Sequence, residues 1–322
     1  MRPELTEAAA NHKVKLLYIA GNGRSGSTLL QTILGQLDGF FAVGELRRIW
    51  DRSLIENRIC GCGVPFSSCP VWEQVFEEAY GGFDGVGAEA MVRYREAMTQ
   101  TKHLPGMLLN RGGRPFRGGS AMEDFLQHLD RLYRAIATVS GCKVIVDASK
   151  WPMYARLVEC LPAVEIYVLH LVRDPRAVAF SWSRTKEYEK GRLLLRQGAA
   201  RSTLYWLTWN PAIAYLWNRP EARYAFLRYE SFVADPRGSI GRILELLGEE
   251  EQSLAFLQGK QVQLEETHSV AGNIARTTTG AIDLRLDDEW ERHLPASKRR
   301  LVSAMTWPLL SHYGYRRIAS KR

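Results

Sequence analysis

Short apolar runs alternate along this chain with stretches in which apolar residues recur at helical spacing. The run Val14-Lys15-Leu16-Leu17-Tyr18-Ile19-Ala20 is rich in strand formers, and the glycine-rich Gly21-Asn22-Gly23-Arg24-Ser25-Gly26-Ser27-Thr28 follows at once. Beyond Thr28, the positions Leu29, Leu30, Ile33, Leu34 and Leu37 share one helical face, so the stretch predicts strand, loop and helix. Two further apolar runs predict strands, 143–146 ending at Asp147 and 165–172 ending at Arg173-Asp174-Pro175. A helix is expected between them over 153–161, closed by Pro162, and a fourth strand over 224–229. Strands alternating with helices predict an α/β fold with a parallel sheet flanked by helices on both faces. In such a sheet, functional residues gather beyond the strand C-termini.

Residues 80–120 break this rhythm, with paired glycines at 81 and 82 and at 112 and 113, and with Arg111, Arg114 and Arg117 among them. They read as an insertion, helical over 88–99 and looser afterwards, either a substrate-facing flap or a solvated connection. The chain of 322 residues is expected to form one elaborated domain after a polar tail over 1–13. No apolar run approaches the ~20 residues of a membrane span, and the N-terminal tail lacks the apolar centre of a leader. With five cysteines, too few for a disulfide scaffold of this length, the reading is a cytoplasmic protein. Forty-three Lys and Arg against 35 Asp and Glu leave a charge of +8. That excess suits an anionic partner, whether nucleic acid, membrane surface or phosphorylated small molecule.

The glycine loop narrows the choice. A loop between strand and helix aims several backbone N–H groups at one point, where the helix dipole adds positive charge. Gly21 and Gly26 hold the outer positions of a Gly-x-x-x-x-Gly spacing and Thr28 closes it, but Ser27 stands where a nucleoside-triphosphate loop has its Lys. Arg24 can supply cationic charge from inside the loop through a planar fork suited to phosphate or sulfate oxygens.

The segment Arg24-Ser25-Gly26-Ser27-Thr28-Leu29 resembles the 5′-phosphosulfate loop of sulfotransferases that use 3′-phosphoadenosine 5′-phosphosulfate (PAPS). The likeness is to the branch with Arg in that loop, which includes tyrosylprotein and carbohydrate sulfotransferases. Val172-Arg173-Asp174-Pro175-Arg176-Ala177, with Ser181 beyond, is similar to that family's 3′-phosphate signature. The segment from Arg228-Tyr229-Glu230 to Asp235-Pro236 and Leu247-Gly248 is similar to a late family segment whose Tyr helps hold adenosine. Residues 268–277 resemble the loop that closes over the 3′-phosphate, without the Arg-Lys-Gly pattern of the cytosolic branch.

The resemblance implies a P-loop-like sulfotransferase fold and sulfuryl transfer from PAPS to a hydroxyl of a small metabolite or sugar, with no metal. It implies donor contacts from Gly23, Arg24, Ser25, Gly26, Ser27, Thr28, Leu29, Arg173, Ser181 and Tyr229, and from Asn273, Arg276 and Thr277 in the late loop. Glu45, in Gly44-Glu45, is similar in position to the tyrosylprotein branch's catalytic Glu and is the implied general base; the alternative is a Glu paired with Arg47 or Arg48. Lys150, in Lys150-Trp151-Pro152, is the implied stabiliser of the leaving group, with Arg24 on the sulfuryl side. Asp147 either orients Lys150 or acts as a metal ligand in a kinase. The implied partners are PAPS, its product adenosine 3′,5′-bisphosphate and the acceptor, not nucleic acid; a homodimer is compatible with the sequence. A P-loop phosphotransferase and a non-catalytic phosphate- or RNA-binding module are the rival readings.

Three features stand apart. Cys60, Cys62 and Cys69 place three thiols in ten residues with no neighbouring fourth ligand, which reads as free thiols or a redox-sensitive pair. Trp206, Trp209 and Trp217, with Tyr205 and Tyr215, recur at helical spacing and read as core rather than as an acceptor wall. His170 lies inside a strand and reads as a packed residue rather than a base.

Overall fold

The computed structural model describes residues 13–113, 119–185, 187–189, 192–193 and 196–315. Arg114 and Arg117 of the insertion, most of the polar tail and residues 316–322 lie outside them. Strands β1 (Val14–Gly21), β2 (Phe40–Gly44), β3 (Val144–Lys150), β4 (Val164–Val172) and β5 (Tyr224–Arg228) form one sheet in the order β2-β3-β1-β4-β5. Every neighbouring pair runs parallel. The expected strands are present. β2 is an addition, because Phe40-Phe41-Ala42-Val43-Gly44 is short and follows helix α1 (Ser27–Leu34) almost directly.

β1 at the centre is fully buried from Leu16 to Ala20, as a strand covered on both faces must be. On one face α1, α9 (Tyr229–Ala234) and α10 (Pro236–Leu247) pack on Leu17, Ile19, Val144, Val146 and Leu169. On the other, α5 (Ser120–Ser140), α6 (Pro152–Val158) and α8 (Ala199–Trp217) pack on Leu16, Tyr18, Ile145 and Val168. Within the insertion, α3 (Ala88–Met98) and α4 (Leu104–Leu109) are regular helices. The first holds fully buried Arg95, whose Nη1 donates to the Arg47 carbonyl at 3.0 Å and pairs with Asp51 at 2.7 Å. This part is therefore tied to the segment following β2.

β3 carries one more residue than β1 between the pairs Tyr18–Asp147 and Ala20–Lys150. Such a bulge bends the strand end and re-aims its side chains. Here it leaves Lys150 in the left-handed region, at φ 70°. Around the sheet's C-terminal edge sit α7 (Pro175–Ser183), α11 (Glu289–His293) and α12 (Ala296–His312). Among the described residues, no helix is long and apolar enough to cross a membrane.

Candidate functional site

All five strand C-termini open onto one cavity of about 820 Å³. The glycine loop after β1 forms its floor. Gly26, the N-cap of α1, has φ 92°, and a Cβ there would lie 2.3 Å from the Tyr229 ring. A Cβ on Gly23 would meet the Trp182 ring at 2.8 Å. The loop is thus clamped between two aromatic rings, and its backbone approaches them more closely than any side chain permits. Arg24 takes φ 69° and lays its guanidinium 4.8 Å from the Trp182 ring centre. Arg24 Nε, Asn22 Nδ2 and Ser25 Oγ are buried without a hydrogen-bond partner. Unsatisfied donors at a helix N-terminus fit the oxygens of an anion.

Glu45 and Lys150 face the loop from the ends of β2 and β3. Lys150 Nζ donates to Glu45 Oε1 at 2.7 Å and to the Ala148 carbonyl at 2.8 Å. Burial alone would raise the Glu45 carboxyl; the Lys150 charge and hydrogen bond, helped by Arg47 and Arg48, hold it below its ordinary value. Asp147 is fully buried and does not line the cavity. It accepts from Tyr133 Oη at 2.7 Å and from the Ser149 amide at 2.8 Å, while burial pushes its carboxyl up to about 6. Ser149 Oγ in turn accepts from the Arg47 amide at 3.0 Å. Asp147 thereby fixes the bulge that presents Lys150.

Arg173 leaves the end of β4, with its guanidinium 4.7 Å from the Tyr229 ring centre and paired to Asp287 at 3.0 Å. It also donates to the Arg24 carbonyl at 3.3 Å, and its own carbonyl accepts from Trp206 Nε1 at 3.0 Å. Asp174 caps α7 by accepting from the Arg176 amide at 2.8 Å, with Pro175 in the first turn, and this aims buried Ser181 at the cavity. Ser27, Thr28, Leu29 and Asn273 complete the wall.

The chain matches the Sulfotransferase family over residues 17–253, well over half its length. It is a sulfotransferase family member. Among solved structures, the sulfotransferase domain from the curacin biosynthetic pathway is 16% identical with a TM-score of 0.50, covering 95% of this chain and 99% of that one. The sulfotransferase domain from the Synechococcus PCC 7002 olefin synthase is 18% identical with a TM-score of 0.50, covering 95% and 97%. At these identities the likeness is one of fold. No curated protein matches the chain.

In this sulfotransferase several residues lie elsewhere than the sequence suggests. Arg276 is buried and turned from the cavity, donating to the Ile59 carbonyl at 2.6 Å and to the Asn273 carbonyl at 3.2 Å. Thr277 Oγ1 is engaged by the Ile274 carbonyl, and neither residue lines the cavity; nor does Ser25, beneath the loop. His170 is fully buried, donating from Nε2 to Asn210 and accepting at Nδ1 from Tyr224, and burial lowers it to about 4.

The aromatic stripe divides by face. Trp206 and Trp217 are core, whereas Tyr205 and Trp209 line the cavity, stacked on each other and adjoining Trp151. Sequence reasoning missed the arginines that follow Glu45. Arg47, Arg48, Arg52 and Arg58 all line the cavity, the first two carried by a short 3-10 turn, Arg52 by the wide helix Ile49–Ile55 and Arg58 by the segment after it. Arg48 and Arg52 share Asp51, and Arg52 also meets Glu56 at 2.9 Å. Arg47 is buried with its guanidinium 4.4 Å from the Trp151 ring centre and its Nε unpartnered.

Outside the cavity, Cys60, Cys62 and Cys69 are joined by His268. The fourth side chain of the cluster, which their spacing did not supply, comes from the late loop.

Proposed function

We propose that the protein is a PAPS-dependent sulfotransferase in which Glu45 is the general base and Lys150 and Arg24 stabilise the charge that develops during transfer. The observation that carries this reading is the convergence of the clamped glycine loop, Glu45, Lys150, Arg173 and Tyr229 on one cavity. PAPS supplies a sulfuryl group bonded to a phosphate oxygen, so the chemistry calls for a base, cations and two anion sites rather than a metal.

The residues present fit such a donor. The loop amides, with the open donors of Arg24 and Asn22, offer one anion site at the helix N-terminus. Arg173 and Ser181 offer a second, and Tyr229 stands between them with its ring packed on Gly26. Glu45 is ionised at neutral pH because Lys150 holds it so; anything that draws Lys150 away raises the proton affinity of Glu45 and makes it a stronger base. The acceptor hydroxyl gives its proton to Glu45 as its oxygen takes the sulfuryl group, and Lys150 meets the charge left on the departing phosphate oxygen.

The cavity's other wall supports a reading of the acceptor. Arg47, Arg48 and Arg52 stand beside the rings of Trp151, Tyr205 and Trp209, which suits a hydroxyl compound bearing an anionic group and a flat apolar or sugar face. The test is thermal stabilisation by adenosine 3′,5′-bisphosphate, by ATP with Mg²⁺ and by RNA. Stabilisation by the bisphosphate, lost in Arg173→Ala, is expected; stronger stabilisation by ATP with Mg²⁺ overturns the donor assignment.

A further inference from the structure

The single ligand atoms of Cys60, Cys62, Cys69 and His268 lie within 4.8 Å of one another, although His268 is 199 residues from Cys69. We propose that these four side chains bind one structural zinc ion.

Two of the six ligand–ligand distances match a tetrahedral site. With Zn–S near 2.3 Å and Zn–N near 2.0 Å, tetrahedral angles place two sulfurs ~3.8 Å apart and a sulfur and a nitrogen ~3.5 Å apart. Cys62 Sγ lies 3.7 Å from Cys69 Sγ, and His268 Nδ1 lies 3.3 Å from Cys69 Sγ. Three soft thiolates and an imidazole, with no carboxylate among them, select zinc over calcium or magnesium. Four protein ligands close the coordination shell, so the ion is structural.

The backbone is already shaped for the site. The Gly63 amide donates to the Cys60 carbonyl at 3.0 Å and the Cys60 amide to the Val64 carbonyl at 2.7 Å, with Gly63 at φ 84°. This tight turn directs Cys60 and Cys62 to one side. Cys69 precedes α2 (Pro70–Tyr80), whose N-terminus favours a thiolate. His268 is held from behind, since its carbonyl accepts from Trp72 Nε1 at 2.7 Å and its ring stacks on Phe41. Metal binding releases the protons of the three thiols to solvent, and His268 binds through neutral Nδ1.

The ion would also secure the candidate active site. Two residues past His268, the Val270 amide donates to the Val43 carbonyl and the Val270 carbonyl accepts from the Glu45 amide, both at 2.9 Å. Ala271, Gly272 and Asn273 then line the cavity. A zinc ion would join this loop to the turn that follows Arg58, so that both rims of the cavity share one anchor.

The test is metal content of the full chain purified without chelators or a metal-affinity column. Mass spectrometry for metals should find about one zinc per chain, released as three thiols react with a mercurial reagent. Cobalt substituted for zinc should give the intense visible bands of a four-coordinate thiolate site. Cys62→Ser and His268→Ala should each lose the metal. Because either variant can misfold, the wild-type stoichiometry and cobalt spectrum stand independently. Metal-free protein with free thiols or a Cys62–Cys69 disulfide overturns the proposal, as does zinc that survives both substitutions. Metal content does not depend on which nucleotide the cavity binds, so this assignment and the donor assignment fail separately.

Discussion

The Lys150 ammonium meets the Glu45 carboxylate at 2.7 Å across 105 residues of chain, each side chain standing at the C-terminal end of one of two adjacent strands. The contact holds Glu45 in its charged form. Glu45→Gln and Lys150→Ala should therefore retain adenosine 3′,5′-bisphosphate binding within a few-fold while turnover falls by about 10²–10⁴. Isothermal titration paired with a radiolabelled sulfuryl-transfer assay distinguishes the two effects. Full turnover in Glu45→Gln removes Glu45 as the base.

The same pair carries a pH signature. The folded-state carboxyl of Glu45 lies below its ordinary value, so its stabilisation is complete above the ordinary carboxylate range and is lost as pH falls through the lowered value. Melting temperatures of wild type and Glu45→Gln should thus differ most near neutrality and converge in acid. A gap that widens on acidification contradicts the pairing.

His170 gives a second, separate window. Buried and neutral, it is lowered from 6.5 to about 4, so the unfolded chain binds more protons between those limits. Its stabilising share is intact above pH 6.5 and declines as pH falls towards 4. His170→Gln should be less stable at neutrality yet lose less melting temperature than wild type between those two values.

Gly26 tests the clamp on the loop. Gly26→Ala combines a left-handed backbone with a Cβ 2.3 Å from the Tyr229 ring. It should cost about 2–4 kcal/mol in urea unfolding and abolish bisphosphate binding. Adding Tyr229→Ala should recover the part due to collision and leave the backbone part, so a double-mutant cycle shows positive coupling.

On the acceptor side, Arg48→Ala and Trp209→Ala should raise the acceptor KM about 10-fold or more with the donor KM nearly unchanged. Arg48→Ala should also flatten the salt dependence of kcat/KM for an anionic acceptor. Equal changes in both KM values refute the division of the cavity.

Features contiguous in the chain were legible in the sequence. Strand, glycine loop and helix adjoin one another from Val14 to Leu34, so period and turn chemistry sufficed, and Arg173 to Ser181 reads as a capped helix for the same reason. What pattern could not supply was direction. Arg276 is basic and sits near the right loop, yet only the fold shows it spent on the Ile59 carbonyl. The α8 aromatics occur on more than one helical face, so spacing could not tell Trp209 on the cavity from Trp206 in the core. Arg47, Arg48 and Arg52 look like any solvated basic run until the 3-10 turn and wide helix after Glu45 bring them to the cavity. His268 could not be matched to its cysteines by spacing, because the link is tertiary.

Each strand of the parallel sheet gives its last residues to one cavity, and Arg24 reaches Arg173 across 149 residues. No fragment of the chain shorter than the whole sheet holds the pieces together. Such a site has high contact order and forms late, after loop closure over most of the chain. Binding of the proposed nucleotide donor can therefore serve as a stringent probe of complete folding: a truncated or circularly opened variant that keeps its helices but misplaces one edge strand will register as a non-binder before circular dichroism shows a loss.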